Sequence, residues 1–257
     1  FQQVGAEIIG SESYKADVEI INLAYETLKN IGVKNIVIEI SAPFFLDSIL
    51  KKIKDKNVKL QIKKYIQLKD INNCLKLLQK TKLYKSFKIL HECSGSIKNK
   101  KNKILNLNAI TGFEKEVKRL TKISSLIKTS KNDMLNIDFF DLKNNKNYYN
   151  GIIFTFFAKN VRGEIAGGGR YNLKYGTNSE TAIGYTCYMD TILRSSSLKN
   201  TNMKILISFN TSNKIKQRLL NKGFSLFKSF EDNSDLREEA KRFGIKYYLM
   251  SNKVKHV

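Results

Sequence analysis

The stretch that most constrains this chain runs from Asn144 to Tyr171, NNKNYYNGIIFTFFAKNVRGEIAGGGRY. Ile152 to Phe157 is β-branched and aromatic, the composition of a buried strand. Gly167, Gly168 and Gly169 have no Cβ, so the backbone there can take a positive φ or lie against a ligand. Tyr148, Tyr149 and Tyr171 then bring phenol hydroxyls to one end of a sheet. Such hydroxyls make neutral, directional hydrogen bonds, suited to a small polar ligand such as an imidazole or an amide. The plainer alternative is a core strand followed by a glycine turn.

Upstream, FQQVGAEIIG (Phe1 to Gly10) alternates well enough for a strand with one wet face. Gln3 and Glu7 are four apart, an even spacing that puts both on one face. An amide and a carboxylate in one pocket bind an ammonium or an N–H donor; a solvent-facing polar stripe is the alternative. Ser11 to Asp17 offers helix-capping chemistry. Ile20, Ile21, Ala24, Leu28 and Ile31 follow at helical spacing, with Gly32 as a stop. Val33 to Ile40 reads as a strand, and Pro43 starts a helix, FFLDSIL. The alternation predicts a mixed α/β domain.

Residues 50–135 are rich in Lys and Asn. Short helices are expected around Asp70 to Leu78 and Phe113 to Ile127, with a basic loop at Lys98 to Lys103. The rest reads as a surface insertion or helical cover. Asn136 to Leu142 is a strand candidate, followed by a turn at Lys143 to Asn147. The apolar run Thr181 to Leu193 predicts a helix entered through Gly184. Ser195 to Thr201 is a Ser/Asn/Lys linker, which sets domains at 1–198 and 199–257. Beyond it, strands at Lys204 to Phe209, Phe224 to Phe230 and Ile245 to Met250 alternate with helices at Ser212 to Lys222 and Asp235 to Gly244. That pattern predicts a small parallel α/β domain. It contains neither a glycine-rich phosphate loop nor a catalytic constellation.

The formal charge of +23 raises nucleic-acid binding, but only 7 of the 46 basic residues are arginine, and none precedes Arg119. Bases and phosphates are often gripped by bidentate arginine forks. The lysine excess, with abundant Asn and Ile, reads as coding drift on solvated faces. Cys74, Cys93 and Cys187 are far apart and odd in number, and beside only His91 and His256 they show no metal-ligand spacing. A reducing cytoplasm fits. No run of eighteen apolar residues and no basic-then-apolar leader is present. The chain opens at Phe1 inside a structural element, so further sequence upstream is expected.

Taken together, FQQVGAEIIGSES, the following DVE helix, YYNGIIF, AGGGRYN and AIGYTCYMDTIL resemble the catalytic core of histidyl-tRNA synthetase and its paralogue, the regulatory subunit of ATP phosphoribosyltransferase. The resemblance covers roughly residues 1–50 and 133–195. LREEAKRFGIKYYLM is similar to the short C-terminal segment of some regulatory subunits. It implies a class II aminoacyl-tRNA synthetase-like fold, α/β in the α+β sense. That fold has a mixed, mainly antiparallel sheet flanked by helices, here with part of the N-terminal core missing. It also implies a histidine pocket. Gln3 meets the amino acid's main-chain end, Glu7 and Tyr149 meet the imidazole, and Tyr148, Gly169 and Tyr171 shape the wall. A glutamate beside an imidazole favours its protonated form. Further contacts to the α-ammonium, the first dimer motif and half of the second motif's hairpin are expected upstream of Phe1.

The departures from the synthetase pattern matter as much. The synthetase reads RGLDYYTG where this chain reads NNKNYYNG, so Asn144 stands at the arginine that faces developing negative charge. A pattern like GFAMGLERL becomes GYTCYMDTI. Tyr188 replaces a glycine that gives room, and Thr191 an arginine that grips the triphosphate. Aminoacyl-adenylate chemistry is therefore not expected, and the C-terminal domain is short for an anticodon reader. The resemblance implies a non-catalytic regulatory subunit without cofactor or metal, working as a homodimer within a hetero-oligomer with the short-form catalytic subunit. L-Histidine is the expected effector; tRNA and membranes are not expected partners. The alternatives are a divergent histidyl-tRNA synthetase and a synthetase-like binding module with another partner.

Overall fold

The computed structural model describes residues 2–97, 104–142, 148–176, 178–196, 203–231 and 235–257. The loop Lys98 to Lys103, the turn Lys143 to Asn147 and most of the Ser195 to Thr201 linker lie outside them. The chain divides into two compact units, Phe1–Ser197 and Leu198–Val257.

The first unit starts with β1 (Gln3–Ile9) and α1 (Tyr14–Asn30). Ser13 caps α1, its side chain accepting a hydrogen bond from the Lys15 amide at 3.2 Å. Gly32, at φ 86°, ends the turn after it, where a side chain would be strained. Next come β2 (Ile36–Ser41) and α2 (Pro43–Lys51), the latter opened by Pro43. Three helices follow: α3 (Lys56–Gln67), α4 (Ile71–Leu78) and α5 (Tyr84–Cys93). Asp55 and Asp70 cap the first two. After the short β3 (Gly95–Ser96) and a 3-10 turn at Ile104–Ala109 comes α6 (Glu114–Leu126). The rest of the unit is β4 (Met134–Asp138), β5 (Tyr149–Ala158), β6 (Glu164–Tyr175), β7 (Asn178–Tyr188) and α7 (Met189–Ser195). The sheet order is β1-β7-β6-β5-β2-β4-β3, antiparallel at every pairing except β2 with β4.

The fold corrects three expectations. Of the helix expected over Thr181 to Leu193, only Met189 to Leu193 is helical; Thr181 to Tyr188 belongs to β7. β7 lies between β1 and β6 and is buried from Ala182 to Tyr185, so its apolar run is continuous. A strand buried on both faces and a buried helix give the same run, and length alone misleads here. Of the two readings of residues 50–135, the surface insertion fails and the helical cover holds. Ile62, Ile66, Cys74, Leu78, Phe87 and Leu90 are buried in the same core as the sheet. The strand expected at Asn136 to Leu142 starts and ends earlier, at Met134–Asp138, leaving Phe139 and Phe140 buried just beyond it.

Buried carboxylates tie these layers together. Asp133 has a fully buried side chain. It accepts hydrogen bonds from the Tyr25 hydroxyl at 2.6 Å and the Ile36 amide at 2.8 Å, and Lys29 lies at 3.2 Å. Burial alone would raise the Asp133 carboxyl, but these donors outweigh it and hold it below its ordinary value. A depressed carboxylate lends stability that is present at neutral pH and is lost as pH falls through its lowered pKa. Asp133→Ala is therefore expected to lower stability by about 2–3 kcal/mol at neutral pH. Thermal midpoints followed from neutral pH into acid check this, the gap to wild type closing as the pH falls.

The second unit holds a four-stranded sheet, ordered β11-β10-β8-β9. Its elements are β8 (Met203–Ser208), α8 (Asn213–Asn221), β9 (Phe224–Ser229), α9 (Leu236–Arg242), β10 (Tyr247–Met250) and β11 (Lys253–His256). β8 pairs parallel with both β9 and β10, as the βα spacing predicts. The sequence reading missed β11, which turns back on β10 through Ser251 and Asn252, at φ 48° and 63°. Two left-handed residues in succession make a tight hairpin turn, but Ser-Asn carries none of the glycine that usually marks one.

A tyrosine and glutamate pocket on the open sheet face

Strand alternation sorts the motif residues onto two faces. In register, Glu7 on β1 faces Gly184 on β7, Gly184 faces Gly169 on β6, and Gly169 faces Ile153 on β5. Two residues along, Thr186 pairs with Gly167 and Gly167 with Thr155; in the other direction Ala182 pairs with Tyr171 and Tyr171 with Tyr149. All of these share one face. Gly168 and Arg170 take the other, where α1 packs against the sheet.

On the open face the glycines leave a floor without side chains, and the polar groups stand around it. A Cβ on Gly184 would lie 2.6 Å from the Glu7 Cγ, and one on Gly169 would lie 2.8 Å from the Tyr149 ring. Glu7 and Tyr149 therefore lean over glycine. The Tyr148 ring stacks on Tyr171 at 4.8 Å and meets Tyr149 edge-on at 4.9 Å. Tyr171 is 3 % exposed. Burial pushes its phenol up, and the Glu7 carboxylate and Tyr148 add to the shift. Burial likewise raises Tyr149, with Tyr148, Tyr188 and Glu164 contributing. These hydroxyls stay protonated at neutral pH and act as donors toward Glu7 or a ligand.

Five of the residues expected from the sequence therefore meet at one place: Glu7, Tyr148, Tyr149, Gly169 and Tyr171. Gln3 shares the face of Glu7 but pairs opposite Tyr188, at the far end of the same floor. Sequence reasoning passed over Glu164. Its carboxylate and the Tyr188 hydroxyl come within 4.0 and 3.4 Å of the point a Cβ on Gly167 would occupy. The signal for Glu164 was available only through register, since a bulge between Phe156 and Phe157 sets which way β6 enters the sheet. Thr191, in α7, is buried. Asn144 lies outside the described residues.

Among the described residues, no group of three or more His, Cys, Asp or Glu could hold a metal ion. None of their helices is long and apolar enough to cross a membrane. Burial raises the Cys74 and Cys187 thiols to about 11, which leaves them protonated and unreactive at neutral pH.

Comparison with known proteins places the chain in a family. The family model described as Histidyl-tRNA synthetase matches residues 1–192. The ATP phosphoribosyltransferase regulatory subunit of Halothermothrix orenii is 30 % identical over 201 residues, covering 71 % of this chain and 45 % of that protein. The chain spans about half or less of the length of the first curated relatives it matches. Among solved structures, an ATP phosphoribosyltransferase regulatory subunit/histidyl-tRNA synthetase from Bacillus halodurans superposes with a TM-score of 0.65. The identity is 16 %, and the match covers 96 % of this chain and 66 % of that one. The ATP phosphoribosyl transferase (HisG:HisZ) complex from Thermotoga maritima gives 0.57 at 20 % identity, over 73 % of this chain and 65 % of that one. At these identities the structures show the fold, a class II synthetase-like mixed sheet flanked by helices.

Proposed function

Since the chain belongs to the histidyl-tRNA synthetase family, we propose that it has kept the family's amino-acid pocket without its adenylate chemistry. It acts as the regulatory subunit of an ATP phosphoribosyltransferase. One observation carries the reading. Glu7, Tyr149 and Tyr171 converge over the glycine floor, while at the other end Tyr188 reaches over Gly167 and residue 191 is a buried threonine. A neutral phenol and a hydroxyl cannot hold a triphosphate as guanidinium groups do. The names of similar proteins support the same reading.

In this reading L-histidine binds with its imidazole between Glu7 and Tyr149, walled by Tyr148, Gly169 and Tyr171, and with its main-chain end toward Gln3. The chain works in the cytoplasm as a homodimer within a hetero-oligomer. The short-form catalytic subunit carries the active site for ATP and phosphoribosyl pyrophosphate. Histidine then controls the enzyme by binding one quaternary arrangement more tightly than the other, since only differential affinity shifts such an equilibrium. Neither tRNA nor a membrane is a partner.

The test is size-exclusion chromatography of the intact protein with a short-form catalytic subunit, with and without L-histidine. A joint species whose elution or activity responds to histidine is expected. Histidine-dependent exchange of pyrophosphate into ATP by this protein alone would overturn the proposal in favour of a divergent synthetase.

A further inference from the structure

The helical cover carries an inverted pattern. Leu60 in α3 is 69 % exposed, and Leu68, just past its end, is 66 % exposed. Lys59 and Lys63, one turn apart, are half-buried instead. Helical spacing sets these two beside Ile62 and Ile66, which are buried in the core. A solvated lysine face belongs opposite that stripe, where Leu60 and Leu68 stand. The lysines here are turned inward and the leucines outward.

Lys59 and Lys63 look across at α2 over a cavity of about 300 Å³, lined by Asp47, Leu50, Lys51, Lys59 and Lys63. That volume is at the lower end of small-ligand pockets. It shares no residue with the tyrosine and glutamate pocket. Among the described residues, no hydrogen bond or ion pair engages the ammonium group of Lys51, Lys59 or Lys63. Asp47 offsets one of the three charges, so the wall keeps a surplus of two. Ammonium groups drawn partly out of water and toward one another lose hydration and repel; an anion between them answers both costs.

We propose that this cavity binds a phosphate monoester. Such a group carries close to two negative charges at neutral pH, which matches the surplus. Lys59 and Lys63 hold the phosphoryl oxygens from α3, Lys51 closes on them from α2, and Leu50 meets the organic part of the ligand. The lining contains no arginine and no aromatic ring, the groups that grip and stack a nucleic-acid strand. The ligand is therefore a small molecule that ends in phosphate.

Calorimetric titration of the intact protein with inorganic phosphate, in chloride at fixed ionic strength, tests this. Wild type should bind one equivalent. Lys59→Gln with Lys63→Gln should weaken binding roughly tenfold or more, the worth of one charge-assisted hydrogen bond, and Lys51→Gln alone should act in the same direction. Lys64→Gln with Lys76→Gln removes the same charge from exposed positions outside the cavity and should change binding less than about twofold. Phosphate should raise the thermal midpoint of wild type and leave that of the Lys59 and Lys63 variant unmoved. In chloride alone that variant should melt at or above wild type, because its repulsion is relieved. No binding by wild type at millimolar phosphate, or equal losses in the two double variants, would reduce the lysines to a general positive field and overturn the site. Tighter binding of a short single-stranded RNA that displaces phosphate would overturn it in favour of a nucleic-acid surface.

Discussion

Asp17→Ala is expected to unfold most of the first unit's stability margin. Asp17 is fully buried in the first turn of α1 and holds two guanidinium groups at once. Arg170 reaches its Oδ1 through Nε at 2.8 Å and Nη2 at 2.6 Å, and Arg119 reaches its Oδ2 through both Nε and Nη2. Arg170 also donates to the Ser11 carbonyl at 2.7 Å and the Thr181 hydroxyl at 2.9 Å. One carboxylate thus joins α1, β6, α6 and the loop after β1. Burial pushes the Asp17 carboxyl up against the pull of both arginines, so the pair is costly to assemble and more costly to break. Removing the carboxylate leaves a guanidinium inside the protein without its counter-ion, at about 3–5 kcal/mol. That is a large share of the roughly 5–15 kcal/mol a domain has in total. Urea unfolding should show the midpoint collapse. Arg119→Met should cost much less, because that side chain is 30 % exposed and Arg170 still neutralises Asp17. Equal effects of the two variants would mean that Asp17 is not the hub.

Within the triple glycine, two adjacent substitutions should give opposite results. Gly168 points to the helix-covered face. A Cβ there would run into the Gly184 carbonyl and would lie 2.8 Å from the Tyr185 Cα and 2.7 Å from the Phe154 ring. Two of these three are backbone atoms of the neighbouring strand, which cannot rotate away. Gly168→Ala should therefore part β6 from β7 and cost about 3 kcal/mol or more, at or above the usual range for overpacking. Gly167→Ala meets the Tyr188 hydroxyl at 3.4 Å, the Phe154 carbonyl at 3.7 Å and the Glu164 carboxylate at 4.0 Å, ordinary contact distances. It should fold like wild type and crowd only the ligand. Thermal midpoints of the two variants, measured side by side, check the contrast. A comparable loss in both would mean that the glycines serve backbone conformation, not close approach.

Much of the fold was legible because local signals agreed with it. Ser13, Pro43, Asp70 and Gly223 each mark a helix boundary by chemistry that acts within a few residues, and each does so here. The parallel pairing of β8 with β9 followed from the βα spacing alone. The failures share one cause. β7, the helices α3 and α5 and the strand β11 owe their state to partners distant in sequence. β7 is a strand because β1 and β6 bind both of its edges. Residues 50–135 pack as core because the sheet and the segment just after β4 share one hydrophobic core with them, Phe87 meeting Phe140 there.

The candidate site divides in the same way. By itself the sequence determined which residue types could serve a small imidazole ligand: the paired tyrosines, Glu7 four residues after Gln3, and glycines that leave room. It also determined that residues 188 and 191 bring no cation. Only the tertiary structure decided that Gly168 and its two neighbours face opposite ways and that Arg170 is committed to Asp17 on the covered face. It alone brought Glu164 to Tyr188 above Gly167. The physical reason is that side-chain type and spacing are local properties, whereas strand register and the bulge ahead of Glu164 are fixed by cross-strand pairing, which brings together residues far apart in the chain.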